Sequence, residues 1–309
     1  MTRLPLVTGA TGFAGGHLLA HLASVGVPAH AWAHRAAPAS GDGAASWTAV
    51  DLLDRAAVRD ALDSARPAAI YHCAGIADVH GTWSAPTYAL RVNAIGTHYV
   101  LEGVRELGLD CRVLITGSAL VYRQSPDAIT EDQPIGPTTP YGVSKLAQEM
   151  TARESEIATL LTRPFNHAGP GQSAAYATSA FAQQIAEIET GRRDPVLRVG
   201  NLDAKRDITD VRDVVRAYRA LMDRGRIRRP YNVCSGRTYT MRALLDILLS
   251  FARVRVRVET DPARLRPSDT PVVHGSHARL TEETGWTPEI PIERTLSDLL
   301  DRWRTRSAR

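Results

Sequence analysis

The feature that most constrains this chain is a glycine triplet, Gly9-x-x-Gly12-x-x-Gly15, set between an apolar run and a helical one. Residues 4–7 (LPLV) read as a short strand. Residues 17–24 (HLLAHLAS) have helical spacing, with Leu18, Leu19 and Leu22 on one face. Glycines at these steps let the backbone turn tightly and approach a pyrophosphate. The helix that follows offers unpaired N–H groups and the positive end of its dipole. A glycine triplet alone is weak, but at the first strand-to-helix turn of a βαβ unit it points to a dinucleotide.

The next residues keep that rhythm. Residues 27–34 (VPAHAWAH) read as a second strand, and a third ends near Asp51. Residues 55–65 form a helix, 68–75 a fourth strand, 87–107 a long helix, 111–118 a fifth strand and 141–156 another helix. Strands alternating with helices imply an α/β fold with a doubly wound parallel sheet. After about residue 165 the rhythm breaks. Helices at 180–190, 211–223, 241–252 and 292–302 stand apart, and the strands shorten. The expected division is a dinucleotide-binding unit over 1–165 and a smaller, mainly substrate-binding α/β unit over 166–309. Segments such as 205–235 are free to return to the first sheet. No repeat or low-complexity linker interrupts the chain.

Composition narrows the class. With 309 residues, 44% hydrophobic and 23% charged, the chain can build an ordinary core. Its 37 Lys plus Arg against 33 Asp plus Glu leave +4, too small an excess to argue for nucleic acid. The basic run 224–229 (RGRIRR) reads as surface charge. Basic side chains gather toward the C-terminal half, which suits an anionic small molecule. Cys73, Cys111 and Cys234 lie far apart and form no CxxC pair, so neither a disulfide framework nor a metal site is expected, and the expected compartment is the reducing cytoplasm. Residues 4–34 contain no charged Asp, Glu, Lys or Arg, but five glycines, two prolines and four histidines break any membrane-length apolar run. Neither a targeting segment nor a membrane span is expected.

Two further features carry chemistry. The second strand ends in His34-Arg35, with no acid to meet a ribose 2′-hydroxyl, and a cation there favours the 2′-phosphate of NADP over NAD. Asp51 ends the third strand, where it suits either an adenine amino contact or a helix N-cap. Tyr141 and Lys145, four residues apart, share a helix face. An ammonium there is expected to lower the phenol's pKa from about 10, so that Tyr141 can exchange a proton with a substrate oxygen. Ser118 ends the fifth strand, and all three can meet at the carboxyl edge of the sheet.

In family order, the chain shows the glycine turn, Asp51-Leu52, His72-Cys-Ala-Gly75, Asn93-Ala-Ile-Gly-Thr97, Ser118-Ala-Leu-Val-Tyr122 and Tyr141-x-x-x-Lys145. It thereby resembles, over essentially its whole length, the extended short-chain dehydrogenases/reductases, the NAD-dependent epimerase/dehydratase family with a Rossmann sheet. The resemblance implies a catalytic set of Ser118, Tyr141 and Lys145. It implies cofactor contacts from Gly9, Thr11, Gly12, Phe13, Ala14, Gly15, Arg35, Asp51, Leu52, Cys73, Ala74, Gly75, Asn93 and Arg163, with Tyr141 and Lys145 again. The segments 163–173, 199–213 and 261–267 look like the GDP-mannose 4,6-dehydratase branch, and still more like its GDP-4-keto-6-deoxy-D-mannose reductase relatives. Through them, Asp78, Val79, Ser118, Ala119, Asn166, His167, Gln183, Val199, Asn201, Arg206 and Arg264 are expected to contact a GDP- or other NDP-linked sugar. The two arginines would face the diphosphate, since guanidinium forks match phosphate oxygens. His167 reads as a positioned neutral hydrogen-bonder more than a catalyst.

One departure decides direction. The dehydratases of that branch read Thr-Ser-Glu-Leu-Tyr at the end of the fifth strand, and their Glu handles the C5 proton. Here Leu120 stands in its place. Elimination of water needs a second acid/base, whereas ketone reduction needs a hydride and one proton. The expected activity is therefore NADPH-dependent reduction of the C4 ketone of an NDP-4-keto-6-deoxyhexose, with GDP-4-keto-6-deoxy-D-mannose as the expected substrate. A nucleotide-sugar 4-epimerase or 4,6-dehydratase is the alternative, and a redox-inactive dinucleotide-binding regulator ranks below both. The helices at 87–107 and 141–156 are expected to form a homodimer interface, by the same resemblance.

Overall fold

A computed structural model describes residues 3–35, 43–265 and 271–308. β1 (Leu6–Thr8) enters the glycine turn and α1 (Phe13–Ser24) leaves it. Next come β2 (Ala29–Ala33), β3 (Ala44–Ala49), α2 (Arg55–Ala65) and β4 (Ala69–His72). α3 (Gly81–Ser84) and α4 (Pro86–Leu90) lead through a π-helical turn, Arg91–Ile95, into α5 (Gly96–Glu106). β5 (Arg112–Thr116), α6 (Pro140–Arg153) and β6 (Thr159–Pro164) follow. The remainder is β7 (Asn166–Ala168), α7 (Ala177–Glu189), β8 (Val196–Val199), β9 (Lys205–Asp210), α8 (Val211–Arg224), β10 (Pro230–Val233), β11 (Thr238–Thr240), α9 (Met241–Ser250), β12 (Arg257–Thr260), β13 (Val272–Val273), α10 (Ala278–Thr284) and α11 (Ile292–Ser307).

Seven parallel strands form one sheet in the order β10-β6-β5-β4-β1-β2-β3. The chain winds outward from β1 in both directions, so a crevice opens where β1 and β4 end side by side. Apart from the edge strand β3, which is mostly exposed, the strands are buried and largely apolar because helices cover both faces. Leu18, Leu19 and Leu22 of α1 pack with Val214, Tyr218 and Leu221 of α8 on one side. Val58 and Leu62 of α2 pack with Val100 and Val104 of α5 on the other. β10 pairs with β6, so α8 and β10 complete this sheet although they follow β7–β9 in sequence. A separate core joins α7, α9 and α11 through Phe181, Ile185, Leu244, Leu248, Leu296 and Trp303.

The long helix expected at 87–107 is three consecutive pieces. The π turn at Arg91–Ile95 inserts one extra residue and buries Asn93. Its amide accepts from Ile76 N (2.8 Å) and donates to Ser144 Oγ (2.9 Å), fastening the loop after β4 to α6. Such bulges cost helical hydrogen bonding and recur at functional sites.

Candidate active site

The glycine turn has the shape its sequence calls for. Gly9 has φ +65°, and a Cβ there would lie 2.6 Å from the Ala74 backbone. A Cβ at Gly15 would strike the Gly9 carbonyl. Gly12 caps α1 without a side-chain partner, and the first turn holds no acid, so its amides remain for an anion. Thr11, Phe13 and Ala14 belong to the same turn. Cys73 and Ala74 lie against Gly9 of this turn, and Gly75 lies against Asn93 and Lys145. This cradle, closed to a Cβ at Gly9 and Gly15, fits the pyrophosphate of a dinucleotide.

Arg35 is exposed just beyond β2. Asp51 is exposed, and its Oδ1 accepts from Leu53 N at 2.9 Å. The cap of α2 is Asp54, which accepts from Ala57 N at 3.0 Å, so the N-cap reading of Asp51 is corrected. Leu52 is buried against Gly96.

Ser118, Tyr141 and Lys145 are all buried beyond the end of β5. The Ser118 hydroxyl reaches the Tyr141 phenol, and its oxygen accepts from Leu120 N at 3.1 Å. Lys145 Nζ lies 6.0 Å from the Tyr141 ring centre. It donates to Thr116 O and Gln148 Oε1, both at 2.9 Å. Burial pushes the lysine down to about 8. Burial also pushes the Tyr141 phenol above its ordinary range, with Ser118 pulling partly back. The expected lowering of Tyr141 by the ammonium is thereby corrected: loss of solvent outweighs a cation whose protons are aimed at other acceptors. A phenol that keeps its proton is a proton donor.

Leu120 sits at the lip of this set, 36% exposed. Two of the nearby acids are engaged elsewhere. Glu131 accepts from Asn232 N at 2.8 Å, and Asp132 pairs with Arg279 at 2.7 Å. Asp127 is exposed, on the loop between β5 and α6.

The remaining expected residues distribute around the crevice. Arg163 is buried over the Tyr122 ring, and Nε and Nη2 grip Glu149 at 2.8 and 2.5 Å. Its guanidinium thus braces α6 against β6. His167 stacks flat on Phe13, with centroids 5.8 Å apart, and burial holds it neutral. Asp78 and Val79 follow the β4 loop, where Asp78 Oδ1 accepts from His80 N. Ala119 is buried beside Ser118, Asn166 is exposed on β7, and Gln183 is half-buried on α7. Val199 and Asn201 run beside Arg264, since a Cβ at Gly200 between them would strike the Arg264 carbonyl. Arg206 lies on β9, next to β7, while Arg264 pairs with Asp261 at 3.3 Å. The last two residues of the 261–267 segment lie outside the described residues.

Sequence reasoning assigned no role to four further residues. Thr97, His72 and Gln148 form a buried polar chain behind Lys145. Gln148 stands next to Glu149 in sequence, and nothing local says which of the two meets the lysine. Tyr176 reaches from the start of α7 to donate to Ala77 O at 3.0 Å, bridging the crevice. Among the described residues, no cluster of His, Cys, Asp or Glu could hold a metal, and no helix is long and apolar enough to cross a membrane.

The family model for GDP-mannose 4,6 dehydratase matches residues 6–299. GDP-6-deoxy-D-mannose reductase of Pseudomonas aeruginosa is 37% identical, over 99% of this chain and 99% of that protein. GDP-mannose 4,6 dehydratase 1 of Arabidopsis thaliana is 26% identical, over 81% of this chain and 72% of its own length. The solved structure of RMD from Pseudomonas aeruginosa complexed with NADPH superposes with a TM-score of 0.88 at 35% identity, covering 99% of this chain and 100% of that one. With the glycine turn, the sheet order and the Ser–Tyr–Lys set already in place, these matches decide the family: the chain belongs to the GDP-mannose 4,6 dehydratase family of extended short-chain dehydrogenases/reductases.

Proposed function

We propose that this protein is an NADPH-dependent reductase of the C4 ketone of GDP-4-keto-6-deoxy-D-mannose. The observation that carries the reading is a complete Ser118–Tyr141–Lys145 set with Leu120 where a dehydratase needs an acid. Full-length similarity to GDP-6-deoxy-D-mannose reductase supports it, and the NADPH complex of a close structural neighbour supports the cofactor. The bound cofactor supplies the hydride. Tyr141, kept protonated by burial, gives its proton to the C4 oxygen. Ser118 holds that oxygen and the phenol together, and the Lys145 ammonium stabilises the phenolate left behind. Arg35 is the residue we assign to the 2′-phosphate, and residues 166–309 supply most of the sugar-nucleotide site, with Asn166, Arg206 and Arg264 near the diphosphate.

The same reading includes a homodimer and a cytoplasmic location. The helices expected at the interface leave Tyr88, Ile95, Val143 and Met150 exposed, an apolar set that a second copy would cover. The free cysteines fit a reducing compartment. The test is incubation with GDP-4-keto-6-deoxymannose and NADPH, followed by product identification. A GDP-6-deoxyhexose formed one-for-one with oxidised cofactor supports the assignment. Interconversion of sugars without net cofactor oxidation would make the protein an epimerase instead.

A further inference from the structure

We infer that Gln148 is a positioning residue for Lys145, the last link of a buried hydrogen-bond chain that runs from the end of β1 with only one possible polarity. The inference rests on the reductase reading only for its turnover readout. Lysine is donor-only, so the Gln148 oxygen must face it. The amide nitrogen then faces Thr97 Oγ1 at 3.0 Å and donates. Thr97 has one proton, and it goes to the Asn93 carbonyl at 2.6 Å. Its oxygen therefore accepts from both Gln148 and His72 Nε2, the latter at 2.9 Å. His72 must carry its proton on Nε2. Its Nδ1 accepts from the Thr8 hydroxyl at 2.9 Å, and Thr8 Oγ1 accepts from Ala74 N at 3.2 Å. Turning the Gln148 amide over would aim an NH2 at an ammonium and a carbonyl at a hydroxyl whose proton is already donated.

The chain also stays fixed across pH. Thr8, His72, Thr97 and Gln148 are fully buried, and burial holds His72 down to about 3, so it remains neutral. The titratable groups facing Lys145 are His72 at the end of β4, Cys73 just after it and Tyr141 on α6. Tyr218 of α8 faces Cys73 and Tyr141. The Cys73 thiol is pushed up to about 12, Tyr218 stays protonated, and Glu149 is taken by Arg163. Below its own midpoint, Lys145 thus rests its charge on two neutral oxygens, with one N–H left over. Of those two oxygens, Gln148 Oε1 is the one a side-chain substitution can change.

The experiment compares wild type with Gln148→Glu and Gln148→Met. Two profiles are recorded: NADPH dissociation constant against pH without substrate, and turnover against pH. Thermal melting checks folding. A carboxylate at this distance favours the charged lysine, so Glu should move the alkaline midpoint of both profiles up by about 1–3 pH units. Met removes an acceptor and should move both down. The order Met, Gln, Glu is the expected result. Coincident midpoints in all three, whatever the loss of amplitude, overturn the inference, because a merely structural residue would lower amplitude alone. Should Met fail to fold, an unmoved midpoint in the near-isosteric Glu variant overturns it equally. Absence of wild-type turnover would defeat the reductase reading, while the NADPH profile would still decide the role of Gln148.

Discussion

The burial of Lys145 predicts an unusual pH dependence of stability in the cofactor-free protein. Its ordinary value of 10.5 falls to about 8 in the fold, with loss of solvent as the main cause. Between those values the unfolded chain holds a proton that the folded chain has released. The unfolded state therefore binds more protons, and stability rises with pH across that window. Below about pH 8 both states are protonated, and the buried charge lowers stability by a constant amount. At about 1.4 kcal/mol per pH unit, the total is about 3 kcal/mol, of which about 2 kcal/mol is recovered between about pH 7.5 and 9.5. Half-buried Cys73 and buried Cys111 act in the opposite direction, because their thiols are held protonated in the fold. The contribution of the lysine must therefore be read as a difference. Urea unfolding of wild type and Lys145→Met at a series of pH values isolates it. The Met variant loses two hydrogen bonds at every pH, which offsets the whole curve without bending it. The gap, wild type minus variant, should grow in favour of wild type by about 2 kcal/mol over that range. Parallel curves would refute the reasoning, since they would mean that water reaches the ammonium and its proton affinity is ordinary.

Four other outcomes are expected. Tyr141→Phe should cut turnover by about 100-fold or more while leaving NADPH affinity near wild type, and a variant keeping a tenth of the rate would exclude the phenol as proton donor. NADPH should bind at least about tenfold tighter than NADH, a difference of about 1.4 kcal/mol, and Arg35→Ala should erase that preference in a binding titration. GDP-mannose with NADP should give no 4-keto-6-deoxy product; appreciable turnover would contradict the reductase assignment and direct attention to Asp127, since Glu131 and Asp132 are already paired. Arg163→Met should destabilise the fold by about 3–5 kcal/mol, because Glu149 would be left buried without its partner. If the folded variant instead kept full stability and lost NADPH affinity, Arg163 would belong to the cofactor site.

Much of the site was legible because it is local. Gly9, Gly12 and Gly15 form one turn within seven residues, and their backbone demand is visible in the spacing. Tyr141 and Lys145 share a helix face by periodicity alone, and Ser118 ends a strand whose apolar run is plain. Leu120, where the branch's dehydratases carry an acid, is a difference of one letter. The π turn was not legible, since 87–107 has an ordinary helical pattern. Its extra residue is compensated by Asn93 bonding to Ile76 and Ser144, partners 17 and 51 positions away.

The sequence by itself determined the class of sheet, the glycine turn at its first strand and the placing of Ser118, Tyr141 and Lys145, the side chains we propose to react, because each depends on periods and steps of a few residues. The tertiary structure alone decided the protonation of those side chains. It raised Tyr141 and lowered Lys145, set His72 in one tautomer and gave Glu149 to Arg163 while Gln148 went to the lysine. Proton affinity and hydrogen-bond polarity depend on burial and on partners from distant segments, and a one-dimensional spacing carries neither.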